Sequence, residues 1–437
     1  MDILNYYGKE ICECGKVHTA DINKIIVGKG VISQLPDLIA GQGAKKVFIL
    51  CDVNTYEAAG KDVCDTIEKA GVSYSKYVFS DKALEPDEKA VGSAVMHFDN
   101  ECDLIIGVGS GVINDIGKIL ANISKRPYFI VGTAPSMDGY ASASSSMSRD
   151  GLKVSISSKS ADVIIGDIDI LSKAPEKMLI SGLGDMLAKY ISICEWRIAN
   201  IITGEYYCES IAQLIRGAVK KCVDNAEGLL RRDEKAIEAV FEGLVIGGVA
   251  MTYAGVSRPA SGVEHYISHI WDMRGLELGT NVDLHGIQCA IGTYIAAGLY
   301  EKIKNIVPDK DKALKYVSEF DIDAWNNELK EFMGNSADTM IALEKKEQKY
   351  NTQKHKERIE VIISNWDKIV EIINEEIPSV KELDKIFDTI GAFKKPSQIG
   401  IDERFIPMTF KASRDIRYKY VLSHLAWDLG ITEDIIK

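Results

Sequence analysis

Strand-like and helix-like segments alternate through the first third of the chain, and this alternation constrains the fold more than any other feature. "NKIIVG" (23–28) is β-like, and "GVISQLPDLIAGQG" reads as a short helix closed by glycine. "KKVFILCD" (45–52) is an apolar run that ends on an acid. "DVCDTIEKAG" is helical, "YSKYVFSD" strand-like and "PDEKAVGSAVMHFDN" helical again. "CDLIIGVGSG" is a strand running into glycines, "VINDIGKILANIS" a helix, and "PYFIVGTAPS" another strand. Strands separated by helices of about 10–15 residues build βαβ units and a parallel sheet. Such sheets bind ligands beyond the carboxyl ends of their strands, which is where "GVGSG" and "TAPSMDG" fall.

The pattern changes near "DIDILSKAPEKM" (167–178), after which helical spacing dominates. "PEKMLISGLGDMLAKYISICEWRIAN" is one helical candidate and "YYCESIAQLIRGAVKKCVDNAEGLL" another. The stretch 301–380 is charged and helical, and its most polar part, "EKKEQKYNTQKHKER", reads as a solvated face or loop. With 437 residues there is room for two domains: an α/β domain with a parallel sheet over 1–175 and an all-helical domain over 176–437.

Hydrophobic content of 46% and charge of 27% suit a soluble globular protein. A net charge of −12 argues against nucleic acid as a partner, yet leaves room for a local basic pocket that takes a small anion. The nine scattered cysteines, and a start without an apolar signal core, lead to the expectation of a reduced, cytoplasmic protein. "GLVIGGVAMTYAGVS" (243–257) and "GIQCAIGTYIAAGLY" (286–300) are short and glycine-rich for membrane spans and read as buried helices.

In "DLIIGVGSGVINDIGKILA", Gly107, Gly109 and Gly111 stand at a strand end, with a helix beginning near Val112. Glycine allows close backbone approach, and a helix start offers N–H groups to a phosphate. The spacing is G-x-G-x-G rather than the dinucleotide fingerprint, so a purely structural turn is the competing reading. Asp52 ends the strand "VFILC". It either binds adenosine ribose hydroxyls, which favours NAD over NADP, or caps a helix.

Three of the seven histidines, His265, His269 and His285, lie within one short segment. His265 and His269 are i and i+4, so a helix would present both on one face. Asp185 lies in another helical stretch, "SGLGDMLAKY". One aspartate with two or three histidines fits zinc, nickel or iron, and three protein ligands with an open position is a catalytic pattern. No G-x-S-x-G elbow is present, and "SASSSMS" has no base partner in sequence. At the N-terminus, "CECGKVH" offers Cys12, Cys14 and His18 to a small structural metal, but the fourth ligand is missing and C-x-C is not the usual knuckle spacing.

Taken together, "GSGVINDIGK", "TAPSMDGYAS", "GLGDMLAKY", "GVEHYISH" and "DLHG" resemble the sn-glycerol-1-phosphate dehydrogenases, above all their bacterial form. These belong to the superfamily of iron-dependent alcohol dehydrogenases, glycerol dehydrogenases and dehydroquinate synthases. The likeness covers about residues 10–300 and resumes at 391–430. It implies a Rossmann-like nucleotide domain followed by a helical metal- and substrate-binding domain, in a dehydroquinate synthase-like architecture. By position, Asp52, Gly111, Val112, Ile113, Asn114, Asp115, Thr133, Ala134, Pro135, Ser136 and Ser142 would line the dinucleotide. Asp185, His265 and His285 would hold the metal, and Asp138 and His269 would contact substrate. Iron alcohol dehydrogenases carry a further histidine one helical turn after the metal aspartate. That position here is Lys189, so a three-ligand zinc or nickel site fits better, and Lys189 becomes either a partner for a substrate phosphate or half of a structural salt bridge.

The implied reaction is reversible, metal-assisted reduction of dihydroxyacetone phosphate by NADH, with NADPH possible, giving sn-glycerol 1-phosphate. Asp185, His269 and Asp138 carry the chemistry in that reading, and a homo-oligomer without a membrane span is expected. Glycerol dehydrogenase is the alternative within enzymes, and a non-catalytic NAD- or metal-binding protein the alternative outside them.

Overall fold

Among the described residues, eight strands form in chain order: β1 (Lys24–Gly28), β2 (Lys46–Asp52), β3 (Ser73–Phe79), β4 (Leu104–Gly109), β5 (Tyr128–Gly132), β6 (Ser144–Arg149), β7 (Leu152–Ser157) and β8 (Val163–Asp167). Six of them make one sheet in the order β1-β8-β5-β4-β2-β3, and every pairing in it is parallel. All residues of β4, β5 and β8 are buried. Strands covered on both faces read as continuous apolar runs, which explains "DLIIGVG" and "YFIVG". The computed structural model describes residues 10–149, 152–280 and 282–437, so the N-terminal leader reading for residues 1–9 lies outside the described residues.

From β2 the chain winds outward to β3, then returns to place β4 on the other side of β2. The direction of winding therefore reverses between β2 and β4. Such a reversal opens a crevice at the carboxyl ends of the two strands, and those ends are Asp52 and Gly109.

The chain divides into two compact units. The first comprises Met1–Met186 and Gln213–Ser257, the second Leu187–Ala212 and Arg258–Lys437. The first holds the sheet, the antiparallel β6–β7 pair and the helix Glu234–Ala254. By length and composition that helix could cross a membrane, but 83% of its apolar window is buried inside the protein. The second unit is helical among its described residues. Its helices Lys189–Thr203, Val263–Leu278 and His285–Ile303 pack on one another.

Five strands fall where the sequence pattern places them. The sixth, β8, lies just before the change of pattern at 167, in a stretch to which the sequence pattern assigns no element; no helix separates it from the β6–β7 pair. The β6–β7 pair is serine-rich and carries little apolar signal. The single helix expected over 175–200 is two, Glu176–Leu187 and Lys189–Thr203, separated at Ala188. The 301–380 stretch is helical as expected, including Lys310–Ser318, Ile322–Met333, Ser336–Glu347 and Thr352–Ser364. Its most polar part is not wholly solvated. Lys349 is buried and donates to the Arg414 carbonyl at 2.6 Å, and His355 Nε2 meets the Asp428 carbonyl at 2.8 Å.

Candidate active site

In the first unit, β4 ends at Gly109 and the helix Gly111–Ser124 starts two residues later. A Cβ on Gly109 would lie 2.5 Å from the Ile113 Cβ, so glycine permits the helix to turn tightly off the strand. The Ser110 side chain makes no capping bond, and the first amides of a helix have no partner within it. The N–H groups at Gly111, Val112 and Ile113 therefore stand at the crevice with the positive end of a helix dipole. Asn114 donates to the Gly139 carbonyl at 3.0 Å, and its Oδ1 is buried with no hydrogen-bond partner among the described residues. The Asp115 carboxylate pairs with Lys118 at 3.0 Å. Burial pushes its pKa up, against the opposing pull of Lys118.

Lys118 is missing from the expected site, yet it ties the region together. It is fully buried and donates to the Gly139 carbonyl (3.3 Å), the Ser142 hydroxyl (3.3 Å) and the Ser144 carbonyl (2.5 Å). Ser142 thus serves as part of a structural network. Thr133 continues from β5 and donates its N–H to the Gly109 carbonyl at 3.1 Å, which holds the 133–136 loop beside the glycine turn. Ala134 accepts from the Tyr140 hydroxyl and Ser136 from the Ser181 hydroxyl.

Gly182 brings the Glu176–Leu187 helix against this loop, since a Cβ there would sit 1.8 Å from the Pro135 carbonyl oxygen. Three residues on, Asp185 is buried, and its Oδ2 accepts the Asp138 N–H at 3.0 Å. Two expected site residues, Asp138 and Asp185, are therefore in contact. Asp52 shows its capping role directly: Oδ1 accepts the Asn54 and Thr55 N–H groups at 2.7 and 2.9 Å. One carboxylate oxygen is enough for the cap, and the residue still stands at the β2 end of the crevice.

In the second unit, the helix Val263–Leu278 does carry His265 and His269 on one face, and His285 does open the next helix. Ring centroids are 5.0 Å apart for His265 and His285, 6.4 Å for His265 and His269, and 5.9 Å for His269 and His285. His265 Nδ1 meets the Glu264 carboxylate at 2.8 Å, which places the proton on Nδ1. His285 Nδ1 meets the Ser268 hydroxyl at 3.2 Å, and its Nε2 lies 3.5 Å from the Cys289 sulfur. A carboxylate or hydroxyl behind the ring is the usual second layer of a metal-ligating histidine. The donor atoms of His265, His285 and Cys289 all lie within 4.8 Å of one another.

The chain from 26 to 175 matches the family described as iron-containing alcohol dehydrogenase. The glycerol-1-phosphate dehydrogenase (NAD(P)+) of Bacillus licheniformis is 30% identical over 308 residues, covering 69% of this chain and 77% of that one. The enzyme of the same name from Methanosarcina mazei is 32% identical over 286 residues, 64% of this chain and 78% of that one. This chain belongs to the glycerol-1-phosphate dehydrogenase family. The Halalkalibacterium halodurans member extends the match to 94% of both chains at 26% identity. In fold, this family member is similar to the glycerol dehydrogenase of Schizosaccharomyces pombe. The TM-score is 0.59 at 16% identity, over 98% of this chain and 92% of that one. The iron-containing alcohol dehydrogenase of Thermococcus thioreducens gives 0.60 at 14%, over 95% and 97%.

Cys289, Glu264 and Lys118 are the residues that sequence reasoning passed over. Cys289 stands four residues after His285, the same helical offset that singles out His265 and His269, but it is hidden among nine scattered cysteines. Glu264 precedes a candidate ligand directly. Lys189 is buried as the first residue of its helix. Asp185 lies at the end of the preceding helix, and Ala188 between the two helices keeps right-handed helical dihedrals (φ −54°, ψ −26°).

Proposed function

We propose that this protein reversibly reduces dihydroxyacetone phosphate to sn-glycerol 1-phosphate, preferring NADH to NADPH and using one zinc or nickel ion. The observation that carries the reading is the His265–His285 pair. Each ring is held at Nδ1 by its own partner, and the two rings offer donor atoms within 4.8 Å of each other, in a chain of the glycerol-1-phosphate dehydrogenase family. Residues 1–175 form the nucleotide-binding part and 176–437 the metal- and substrate-binding part. Asp185, His265 and His285 would hold the ion. When bound, it supplies Lewis-acid polarisation of a carbonyl and charge stabilisation as that oxygen becomes anionic. The nicotinamide supplies the hydride.

The chain's own groups do the rest. The amides from Gly111 to Ile113 receive the dinucleotide phosphates, and the buried Asn114 Oδ1 accepts from the bound cofactor. Asp115, Thr133, Ala134, Pro135, Ser136 and Ser142 shape that side, through backbone groups and the Lys118 network. Asp52 orients the ribose. Asp138 orients the substrate, and Asp185 holds the Asp138 backbone. Half-buried His269 moves the proton to and from the substrate oxygen, and Lys189 supplies a compact charge for the substrate phosphate. Cytoplasmic location, expected from the scattered cysteines, and homo-oligomeric assembly belong to the same reading.

Purified protein with measured metal content is assayed for NADH and NADPH oxidation with dihydroxyacetone phosphate and with dihydroxyacetone. Two charge-assisted contacts to the phosphate are expected to favour the phosphorylated substrate by about 100-fold in kcat/KM. Equal reduction of the free triose would replace this reading with a glycerol dehydrogenase. Absence of turnover in protein that carries metal and binds NADH would leave a binding protein.

A further inference from the structure

A second cluster of metal-donor side chains lies in the first unit, ahead of β1. Cys12 N–H donates to the Lys16 carbonyl at 2.9 Å and Gly15 N–H to the Cys12 carbonyl at 2.8 Å. The chain thereby folds back within five residues. Gly15 takes φ 81°, a left-handed conformation that suits glycine. This tight loop puts both thiols on the same side as His18, with the two Sγ atoms and a ring nitrogen of His18 all within 4.8 Å of one another. His18 is buried, and its Nδ1 meets the Tyr253 carbonyl at 3.1 Å. That contact places the proton on Nδ1 and turns Nε2 toward Cys14, whose sulfur lies 3.3 Å away.

We propose that Cys12, Cys14 and His18 hold a structural zinc-class ion, separate from the one at His265 and His285. Three features support the assignment. Two thiolates and an imidazole are the soft and borderline donors that select zinc. A tetrahedral zinc with its usual bond lengths holds sulfur and nitrogen about 3.5 Å apart, close to the Cys14–His18 separation. The carbonyl behind His18 is the second layer that fixes tautomer and ring orientation in metal-ligating histidines. Water or a further sulfur of the chain takes the fourth position. The ion would tie the segment before β1 to the end of the Glu234–Ala254 helix, where Tyr253 sits. The unusual C-x-C spacing is accommodated because the loop turns at Gly15 rather than between the cysteines.

The test uses the full chain, purified under reducing conditions, with metal per chain counted by mass spectrometry. The wild type should carry two equivalents, the Cys12→Ser/Cys14→Ser variant one, and the His265→Ala/His285→Ala variant the other. The cysteine variant should keep its dehydrogenase activity. Cobalt loading of the His265→Ala/His285→Ala variant should give a thiolate-to-cobalt charge-transfer band, and this band should vanish when the two serines are added. A metal count unchanged by the serines, or a band that survives them, would overturn the proposal. A measurement on the wild type needs no variant to fold. Cys12 and Cys14 should resist alkylation until a chelator is added, and equal labelling with and without chelator would also overturn it.

Discussion

At the Gly109–Gly111 bend the groups offered to a ligand are backbone amides; around His265 they are side chains, each held by a second side chain. The first arrangement asks of the sequence chiefly that certain side chains be absent: no Cβ at Gly109 against Ile113, and none at Gly182 against Pro135. The second asks for specific atoms in specific places, with Glu264 behind His265 and Ser268 behind His285. A backbone cradle is insensitive to most substitutions that spare its packing. A side-chain site loses function when any donor is removed, and loses affinity when a supporting partner is removed. The two regions should therefore respond very differently to mutation.

The largest effect should come from the donors themselves. His265→Ala and His285→Ala are each expected to lose the bound ion and to lower kcat by about 1000-fold or more, since the ion supplies several kcal/mol of transition-state stabilisation. Asp185→Ala should behave the same way. His269→Ala should keep the ion and lose about 100-fold in rate, the usual weight of a positioned proton-transfer group. Metal counting beside steady-state kinetics separates the two classes. Full metal and full rate in any two of the three donor variants would remove the site as drawn.

One step smaller is the supporting layer. Glu264→Gln leaves every donor in place but weakens the hold on His265 Nδ1. Loss of a second-layer partner typically costs 10–100-fold in metal affinity, about 1.4–3 kcal/mol. Competition with a calibrated chelator reads this directly, and an unchanged affinity would show that His265 is oriented by packing alone.

Behind Glu264 stands Glu195, which accepts the Val263 and Leu422 N–H groups at 2.9 and 2.8 Å. Burial first, and the negative charge of Glu264 second, raise its pKa from 4.5 to about 8. A carboxyl with a raised folded-state pKa contributes stability that is complete below its unfolded pKa, near 4.5, and is lost as pH rises through about 8. Glu195→Gln mimics the protonated form and removes that loss. Wild type and variant should unfold alike near pH 4 and diverge by pH 9, with the variant the more stable by on the order of a few kcal/mol. Parallel stability curves across that range would mean that Glu195 does not titrate with folding.

These contrasts also explain what could be read in the sequence. The sheet was legible because β2, β4 and β5 are buried on both faces, and such strands become apolar runs punctuated by glycine. The histidine face was legible because a helix converts an i, i+4 spacing into proximity. β8 was not legible because no helix separates it from the β6–β7 pair, so the strand–helix alternation does not announce it, and the β6–β7 pair advertises serine rather than a core. Glu264 and Cys289 escaped because their meaning depends on which way a neighbouring ring turns. Asp115 and Ser142 were assigned to the cofactor by position, but both side chains are engaged by Lys118: Asp115 from three positions away on the same helix, and Ser142 across 24 positions, a contact that packing fixes.

The smallest expected effect, and the one that most sharpens the comparison, concerns Asp52, where a side chain serves the backbone-built region. Its Oδ1 already caps the helix turn that follows β2, so a simple alanine variant mixes two losses. Removing an N-cap acid costs about 1 kcal/mol of stability. Removing its charge should also relieve repulsion of the NADPH 2′-phosphate. Asn caps as well as Asp does but carries no charge, so Asp52→Asn separates the roles. We expect Asp52→Asn to keep the wild-type Tm and to narrow the NADH-to-NADPH ratio of kcat/KM by about 10-fold, equivalent to about 1.4 kcal/mol. Asp52→Ala should narrow the ratio to a similar extent and lower Tm by a few degrees, as about 1 kcal/mol does in a domain of this size. If both variants leave the ratio untouched while only the alanine lowers Tm, Asp52 is a cap and nothing more, and the preference for NADH must be set elsewhere at the crevice.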